Sequence, residues 1–488
     1  LKAIKNYLYN LIYQILTILL PIVTIPYVSR TLGPDGLGSF ALSNTYAQYF
    51  VLFGMIGLSI YSSREIAYVR DDESKLSKAF WEINFIRVIT VGIAFILYMV
   101  LFGLILNSSN KIVYIMQSLV ILSSLVDISW LFIGLEDFKR VIMKNIFVKL
   151  VGMVLIFCFV KHSSDVWLYA LILGITQLVG QAIMWFEIPK SIIFIFPNTR
   201  NTVRHLKESI KMFLPQIAIN IYTMLDKVIL GAITNTAQVG LYDNSQRIIK
   251  LIITIVTTVA TVTMPKMANF HKNKQYEEFQ NYIYKSFSFV SFLAFPMTFG
   301  LIGVCKSFVP WFYGPGFEGI IPMFYIGSFL MITLGWSSIL GIQVLLSIKR
   351  EKQFTIAVSY GAAINIILNL ILIKKFEGVG TTVSCVVAEF TGMFIMLFYL
   401  RDIINFRKLF KPVGKYFISS LVMCFPIWEL SSYFNSTALN SFIIVLIGAI
   451  LYLTMMIITR DAILIYALKL LKSRMRKSRE AYGKQIDM

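Results

Sequence analysis

Between residues 239 and 264 an apolar stretch carries Asp243, Arg247, Lys250, Thr254, Thr257 and Thr261. The spacing i, i+4, i+7, i+11, i+14, i+18 puts all six on one face of a single helix. One acid and two cations leave that face net positive, and in a low-dielectric setting a positive surplus attracts an anion. Guanidinium suits phosphate in particular, because it forks onto two oxygens and is only weakly hydrated. Two other apolar stretches repeat the pattern: Gln216, Asn220, Thr223 and Lys227, with Asp226 alongside, within 209–232, and Asn10, Gln14, Thr17 and Thr24 within 6–29, punctuated by Pro21 and Pro26. Three polar stripes on three helices predict a shared water-filled cavity. Arg87, in the stretch 80–106, adds to the same field. The bland alternative is that Asp243 and Arg247 form an i,i+4 ion pair and that Asp226 pairs with a neighbour, with no ligand involved.

The elements that must position these residues are membrane helices. Of 488 residues 57% are apolar and only 14% charged, with a mean hydropathy of +0.73. A soluble enzyme, a secreted protein and a single-pass receptor are excluded by that balance, since a soluble domain is about a quarter charged. The apolar runs are of helix length and do not alternate, which excludes a β-barrel. We place spans at 6–29, 37–62, 80–106, 112–135, 142–160, 166–188, 209–232, 239–264, 280–305, 320–347, 354–373, 379–400, 413–433 and 439–459. An all-α, polytopic membrane protein of fourteen helices follows. A charge at mid-bilayer costs about 2.5–3.5 kcal/mol, so Asp127, Glu389 and Glu429 inside spans read as structural counter-ions or as proton or Na⁺ coupling sites; no other cofactor is expected. Cys158, Cys305, Cys385 and Cys424 lie in apolar runs without pairing and read as small hydrophobes. His162, His205 and His271 fall in short loops far apart, so a histidine metal site is not expected. The first apolar stretch runs into a span with no small-residue cleavage site, so a cleavable signal peptide is not expected either.

Charge tests the count. The net charge of +20 belongs to topology rather than to nucleic acid, because cytoplasmic loops of membrane proteins collect Lys and Arg. Segments on the side of the termini carry 33 basic residues, against six on the opposite side: Arg30, Lys111, Lys161, Lys306, Lys374 and Lys375. Both termini are therefore expected in the cytoplasm. A shift of 202 residues lays Gln14 on Gln216, Gly38 on Gly240 and Phe40 on Tyr242. An even number of spans per half makes these parallel repeats. The expected organisation is a lobe at 1–188, an interfacial cytoplasmic linker at 189–208, a second lobe at 209–400, an appended helix pair at 401–459 and a basic cytoplasmic tail at 460–488.

Five short motifs point to a family. They are Arg30-Thr31-Leu32-Gly33-Pro34-Asp35-Gly36-Leu37-Gly38 after the first span and Tyr61-Ser62-Ser63-Arg64-Glu65-Ile66-Ala67 after the second. At the end of the fourth stands Asp127-Ile128-Ser129-Trp130-Leu131-Phe132-Ile133-Gly134-Leu135-Glu136-Asp137-Phe138-Lys139. Leu225-Asp226-Lys227-Val228-Ile229-Leu230-Gly231 lies in the seventh, and Tyr313-Gly314-Pro315-Gly316-Phe317 follows the ninth. In this order, at these helix ends, the chain resembles the polysaccharide repeat-unit flippases (Wzx type) of the multidrug/oligosaccharidyl-lipid/polysaccharide exporter superfamily. The resemblance implies a bundle of two six-helix lobes around a cationic cavity. It also implies a substrate in which an oligosaccharide is joined through pyrophosphate to a polyprenyl lipid, moved from the inner to the outer leaflet of a bacterial plasma membrane. By the same resemblance Arg30, Arg247 and Lys250 are candidates to clamp the pyrophosphate, with Arg87 and Lys227 adding charge. The last two helices are candidates for a lipid-tail groove. The partners implied are the lipid-linked oligosaccharide, membrane lipids and the polysaccharide polymerase and glycosyltransferases of the same pathway.

Three rivals remain at this stage, one of them a passive lipid scramblase, because coupling ions leave no unambiguous mark in sequence. A cation-coupled multidrug exporter of the same superfamily would need an acidic cavity. A membrane-embedded polysaccharide polymerase or ligase would need an outer domain carrying catalytic groups, whereas the longest outer loop, about 306–319, holds only Lys306 and Glu318 as charged residues.

Overall fold

The computed structural model describes residues 2–106, 110–466 and 469; the side chains of residues 2–15, 18 and 214–223 are outside the described set. The described chain is helical, with no strand. In order the helices are α1 (Lys2–Met55), α2 (Leu58–Val69), α3 (Glu73–Tyr98), α4 (Lys111–Val126), α5 (Ser129–Gly134), α6 (Phe138–Phe159), α7 (Val166–Ile183) and α8 (Thr199–Ile233). They continue as α9 (Thr236–Lys272), α10 (Tyr276–Tyr313), α11 (Ile320–Gly327), α12 (Leu330–Ser337), α13 (Glu351–Tyr399), α14 (Phe406–Phe410), α15 (Val413–Tyr433) and α16 (Ala438–Ile458). Ten helical stretches among the described residues are long and apolar enough to cross a membrane. The count is up to eleven if Leu19–Met55 and Leu58–Val69, bent by 40° at their junction, form one span.

Local chemistry sets the breaks. Inside α1, Gly33 takes φ 69°, a left-handed value that a side chain resists. Pro34 then starts the next helical turn, where its missing N–H costs nothing. Gly57, at φ 76°, precedes α2, and Glu377, at φ 49°, interrupts α13. Asp72 caps α3 by accepting from the Lys75 N–H, and Asn198 caps α8 by accepting from that of Arg200, which satisfies backbone donors a helix start leaves open.

The chain divides into two compact units. The first is Leu1–Asn244 with Tyr313–Phe317 and Asn369–Thr381; the second is Ser245–Phe312, Glu318–Leu368 and Thr382–Met488. In the first, buried Phe80, Ile83, Trp130, Leu131 and Phe132 form the core. The non-helical run after α7 docks on α3: Trp81 Nε1 donates to the Ile193 carbonyl at 3.0 Å, and Ser77 Oγ to that of Ser191 at 3.3 Å. Also in this unit, the helix that follows Gly33 meets the start of α9 almost backbone to backbone. A Cβ on Gly38 would lie 1.6 Å from the Thr236 carbonyl oxygen and 2.8 Å from Gly240 N; one on Gly240 would lie 2.0 Å from the Pro34 oxygen. The glycines that a 202-residue shift superimposes thus face each other.

In the second unit Phe287, Val290, Trp336, Leu340 and Met396 are among the core residues. The last two helices are bound to α10 through hydroxyl groups. Ser307 N donates to Ser431 Oγ at 2.9 Å, the Ser307 and Ser441 hydroxyls pair at 2.9 Å, and Trp311 Nε1 donates to Ser441 Oγ at 2.6 Å. Lower down, the Tyr452 hydroxyl donates to the Phe292 carbonyl at 2.8 Å.

Candidate functional site

Helix α9 carries two chemistries on opposite sides. Along its polar stripe in the second unit Lys250, Thr254 and Thr261 are exposed and Arg247 is half-buried. At about 100° per residue, Ile248, Ile252 and Ile255 lie about 150° away from that stripe. Those three isoleucines line a cavity of about 610 Å³ whose other walls come from α10, α15 and α16, including Pro296, Met423 and Gly448. The helix therefore separates a cationic, hydroxyl-bearing face from an apolar groove. The appended helix pair forms one side of that groove.

The charged groups of the first unit are heavily engaged. Lys227 Nζ of α8 lies 2.5 Å from Asp243 Oδ1 of α9, with the acid 6% and the amine 21% exposed. Next to it in sequence, buried Asp226 accepts from the Tyr242 hydroxyl at 2.8 Å and from Asn369 Nδ2 of α13 at 2.6 Å. Of the two readings weighed from sequence, Asp226 does pair with neighbours, and Asp243 is held by a cation from the preceding helix. Asn369 was not singled out from sequence, and Tyr242 only as the counterpart of Phe40 in the repeat. Asn365 and Asn369, one turn apart in an apolar run, were the available signal.

Arg87 is 1% exposed, donates to Asn84 and lies 5.7 Å from the Trp130 ring centroid, inside the first unit's core. Asp127 ends α4 rather than standing alone: its carboxylate accepts from the Ser129 N–H at 2.8 Å and the Ser129 hydroxyl at 2.5 Å. Lys144 donates to Ser129 Oγ at 3.1 Å and to Gln181 Oε1 at 2.9 Å. Arg30 is exposed and packs its stem on Gly314, where an added Cβ would come within 2.7 Å of Arg30 Cγ. The neighbouring Ser29 hydroxyl donates to the Tyr313 carbonyl at 2.9 Å, so two of the five motifs meet in space. Glu389 is half-buried on α13 in the second unit. The side chains of Gln14, Gln216 and Asn220 lie outside the described residues. Among the described residues no group of three metal-binding side chains occurs.

A family model described as polysaccharide biosynthesis protein matches residues 3–271. The "Putative O-antigen transporter" of Escherichia coli (strain K12) is 24% identical over 402 residues, which are 82% of this chain and 96% of that one. The "Probable low-salt glycan biosynthesis flippase Agl15" of Haloferax volcanii is 22% identical over 53% of this chain and 54% of that one. Among solved structures, "Lipid II flippase MurJ, inward closed conformation" shares the fold with a TM-score of 0.70 and 20% identity, over 94% of this chain and all of that one. With more than half its length covered by that model, this multi-pass membrane chain belongs to the polysaccharide biosynthesis protein family.

Proposed function

We propose that this protein is a flippase that moves polyprenyl-pyrophosphate-linked oligosaccharide units from the inner to the outer leaflet of a bacterial plasma membrane by alternating access. It is a transporter and not an enzyme. One observation carries the reading: α9 presents Arg247 and Lys250 on one side and the wall of an apolar groove on the other. A substrate with an anionic head and a long hydrocarbon tail fits such a divided helix, whereas a cationic drug does not.

In this reading Arg247 and Lys250 hold the pyrophosphate and offset the hydration it loses. Arg30, Arg87 and Lys227 add to the positive field without needing to touch the substrate, and Gln14, Gln216 and Asn220 line the path of the sugars. The tail occupies the groove beside α15 and α16. Lipid is as apolar as that groove, so entry gains nothing from the hydrophobic effect and the groove selects by shape. Energy enters through proton or Na⁺ coupling, with Asp127 and Glu389 as the candidate sites for it. Fourteen spans in two parallel halves, 1–188 and 209–400, joined by 189–208, with 401–459 appended and both termini cytoplasmic, complete the proposal; the facing glycines 38 and 240 support the repeat. The repeat-unit polymerase and glycosyltransferases are the expected partners.

Complementation of a flippase-deficient strain at matched membrane levels tests the clamp. Lys250→Gln should weaken transport, and Arg247→Lys, which keeps the charge and loses the fork, should retain only part of it. Full activity in both variants would refute the clamp.

A further inference from the structure

Three helices of the first unit converge on one buried imidazole. His205 of α8 is 1% exposed, Tyr61 of α2 is 2% and Glu82 of α3 is 4%. The Tyr61 hydroxyl lies 2.5 Å from His205 Nδ1, and Nε2 lies 3.2 Å from Glu82 Oε2. The second Glu82 oxygen accepts from Asn201 Nδ2 at 3.1 Å and from the Asn198 N–H at 3.4 Å. Around this core, Glu65 of α2 comes within 4.0 Å of Nδ1 and 3.8 Å of Arg204. Arg64 approaches the Tyr61 ring at 5.8 Å, and Glu208 adds a negative charge near Tyr61.

The neutral imidazole satisfies this arrangement in one tautomer: Tyr61 donates to Nδ1, and Nε2–H donates to Glu82. A proton added at Nδ1 turns that nitrogen into a donor. Tyr61 must then accept, and its own hydrogen loses its acceptor, because among the described residues the phenol bonds only to His205. The bond to the Glu82 carboxylate meanwhile gains a second ionised partner and becomes an ion pair. Burial pushes the imidazole below its ordinary proton affinity, Glu65 and Glu82 oppose that, and Arg204 reinforces it.

We propose that His205 is a proton-binding site whose occupancy transfers the hold on α8 from Tyr61 of α2 to Glu82 of α3. The exchange takes place beside the bend that leads into α2. One turn along α8, Ser209 Oγ donates to the carbonyl of Ile56, and a Cβ on Gly57 would lie 2.5 Å from the Ser209 carbonyl oxygen. That the exchange sets the pH dependence of transport rests on the flippase reading above.

The test uses the full-length chain with isotope-labelled histidine in liposomes, followed by nitrogen chemical shift from about pH 4.5 to about 8.5. The chain has three histidines, and His162→Gln and His271→Gln, which leave the cluster intact, assign the signals. His205 should titrate within this range. Its midpoint should rise by about one pH unit in Tyr61→Phe, which removes the donor to Nδ1, and fall by about one in Glu82→Gln. A His205 that does not titrate, or a midpoint indifferent to Tyr61→Phe, overturns the site. Flipping of lipid-linked oligosaccharide in the same liposomes should shift its pH profile with the Tyr61→Phe midpoint. A shifted midpoint with an unshifted profile overturns the coupling. Titration as described in a wild-type protein that flips no lipid-linked oligosaccharide supports the site and refutes the flippase reading.

Discussion

Breaking the Lys227–Asp243 pair should be far more damaging than removing it. At 2.5 Å the two charges attract by about 7 kcal/mol at an effective dielectric near 20. Desolvating both ions costs several kcal/mol each, so the pair is close to neutral for stability overall. A single substitution takes this partner from the remaining charge, at about 3–5 kcal/mol. Lys227 keeps a fifth of its surface exposed, so Asp243→Asn should sit near 3 kcal/mol. Lys227→Met, which takes its lysine partner from the more buried carboxylate, should cost more, up to about 5 kcal/mol. The double variant should return to within about 1 kcal/mol of wild type, a coupling of several kcal/mol where independent sites add to within about 0.5. Unfolding in mixed micelles, read through the seven tryptophans, measures all four corners of the cycle. A double variant that loses the sum of the single losses would show that the two groups do not act as a pair.

Two substitutions test neighbouring features. Gly300 borders the groove, and a Cβ there would meet only Met423 Cε, at 3.8 Å; Gly300→Phe should fold at normal membrane levels yet slow flipping of long-tailed substrate in liposomes, and wild-type rates would remove the tail from the groove. Gly38→Ala should cost several kcal/mol and deplete folded protein, because backbone stands 1.6 Å from the new methyl, whereas Gly36→Ala, facing the Val166 side chain at 2.8 Å, should cost about 1–3 kcal/mol; equal recovery of both proteins on size-exclusion chromatography would contradict the difference.

Hydropathy made the all-helical membrane fold legible, and the motifs made the family legible, because both signals are written in contiguous residues. The polar face of α9 was equally clear, since a 3.6-residue period determines which residues share a face. What lies opposite that face is not periodic information. Arg247, one turn along the same helix, could be weighed as a partner for Asp243 from sequence; that Lys227 reaches it from α8 could not. His205 illustrates the same limit. From sequence it falls in a loop far from the other histidines. In the structure α8 already begins at Thr199, and its first turns run between Tyr61 and Glu82, 144 and 123 residues away. The Asn198 cap was the local signal that a helix starts there; the partners left none.

The facing glycines 38 and 240 have a mechanical consequence. Interdigitated side chains lock two helices at preferred crossing angles. Where the backbones touch directly, no knobs have to leave their holes for one helix to roll on the other. Such a crossing behaves as a bearing: angle is free to vary over a small arc while separation stays pinned. Any side chain at either position would act as a shim, fixing the angle and lifting the helices apart.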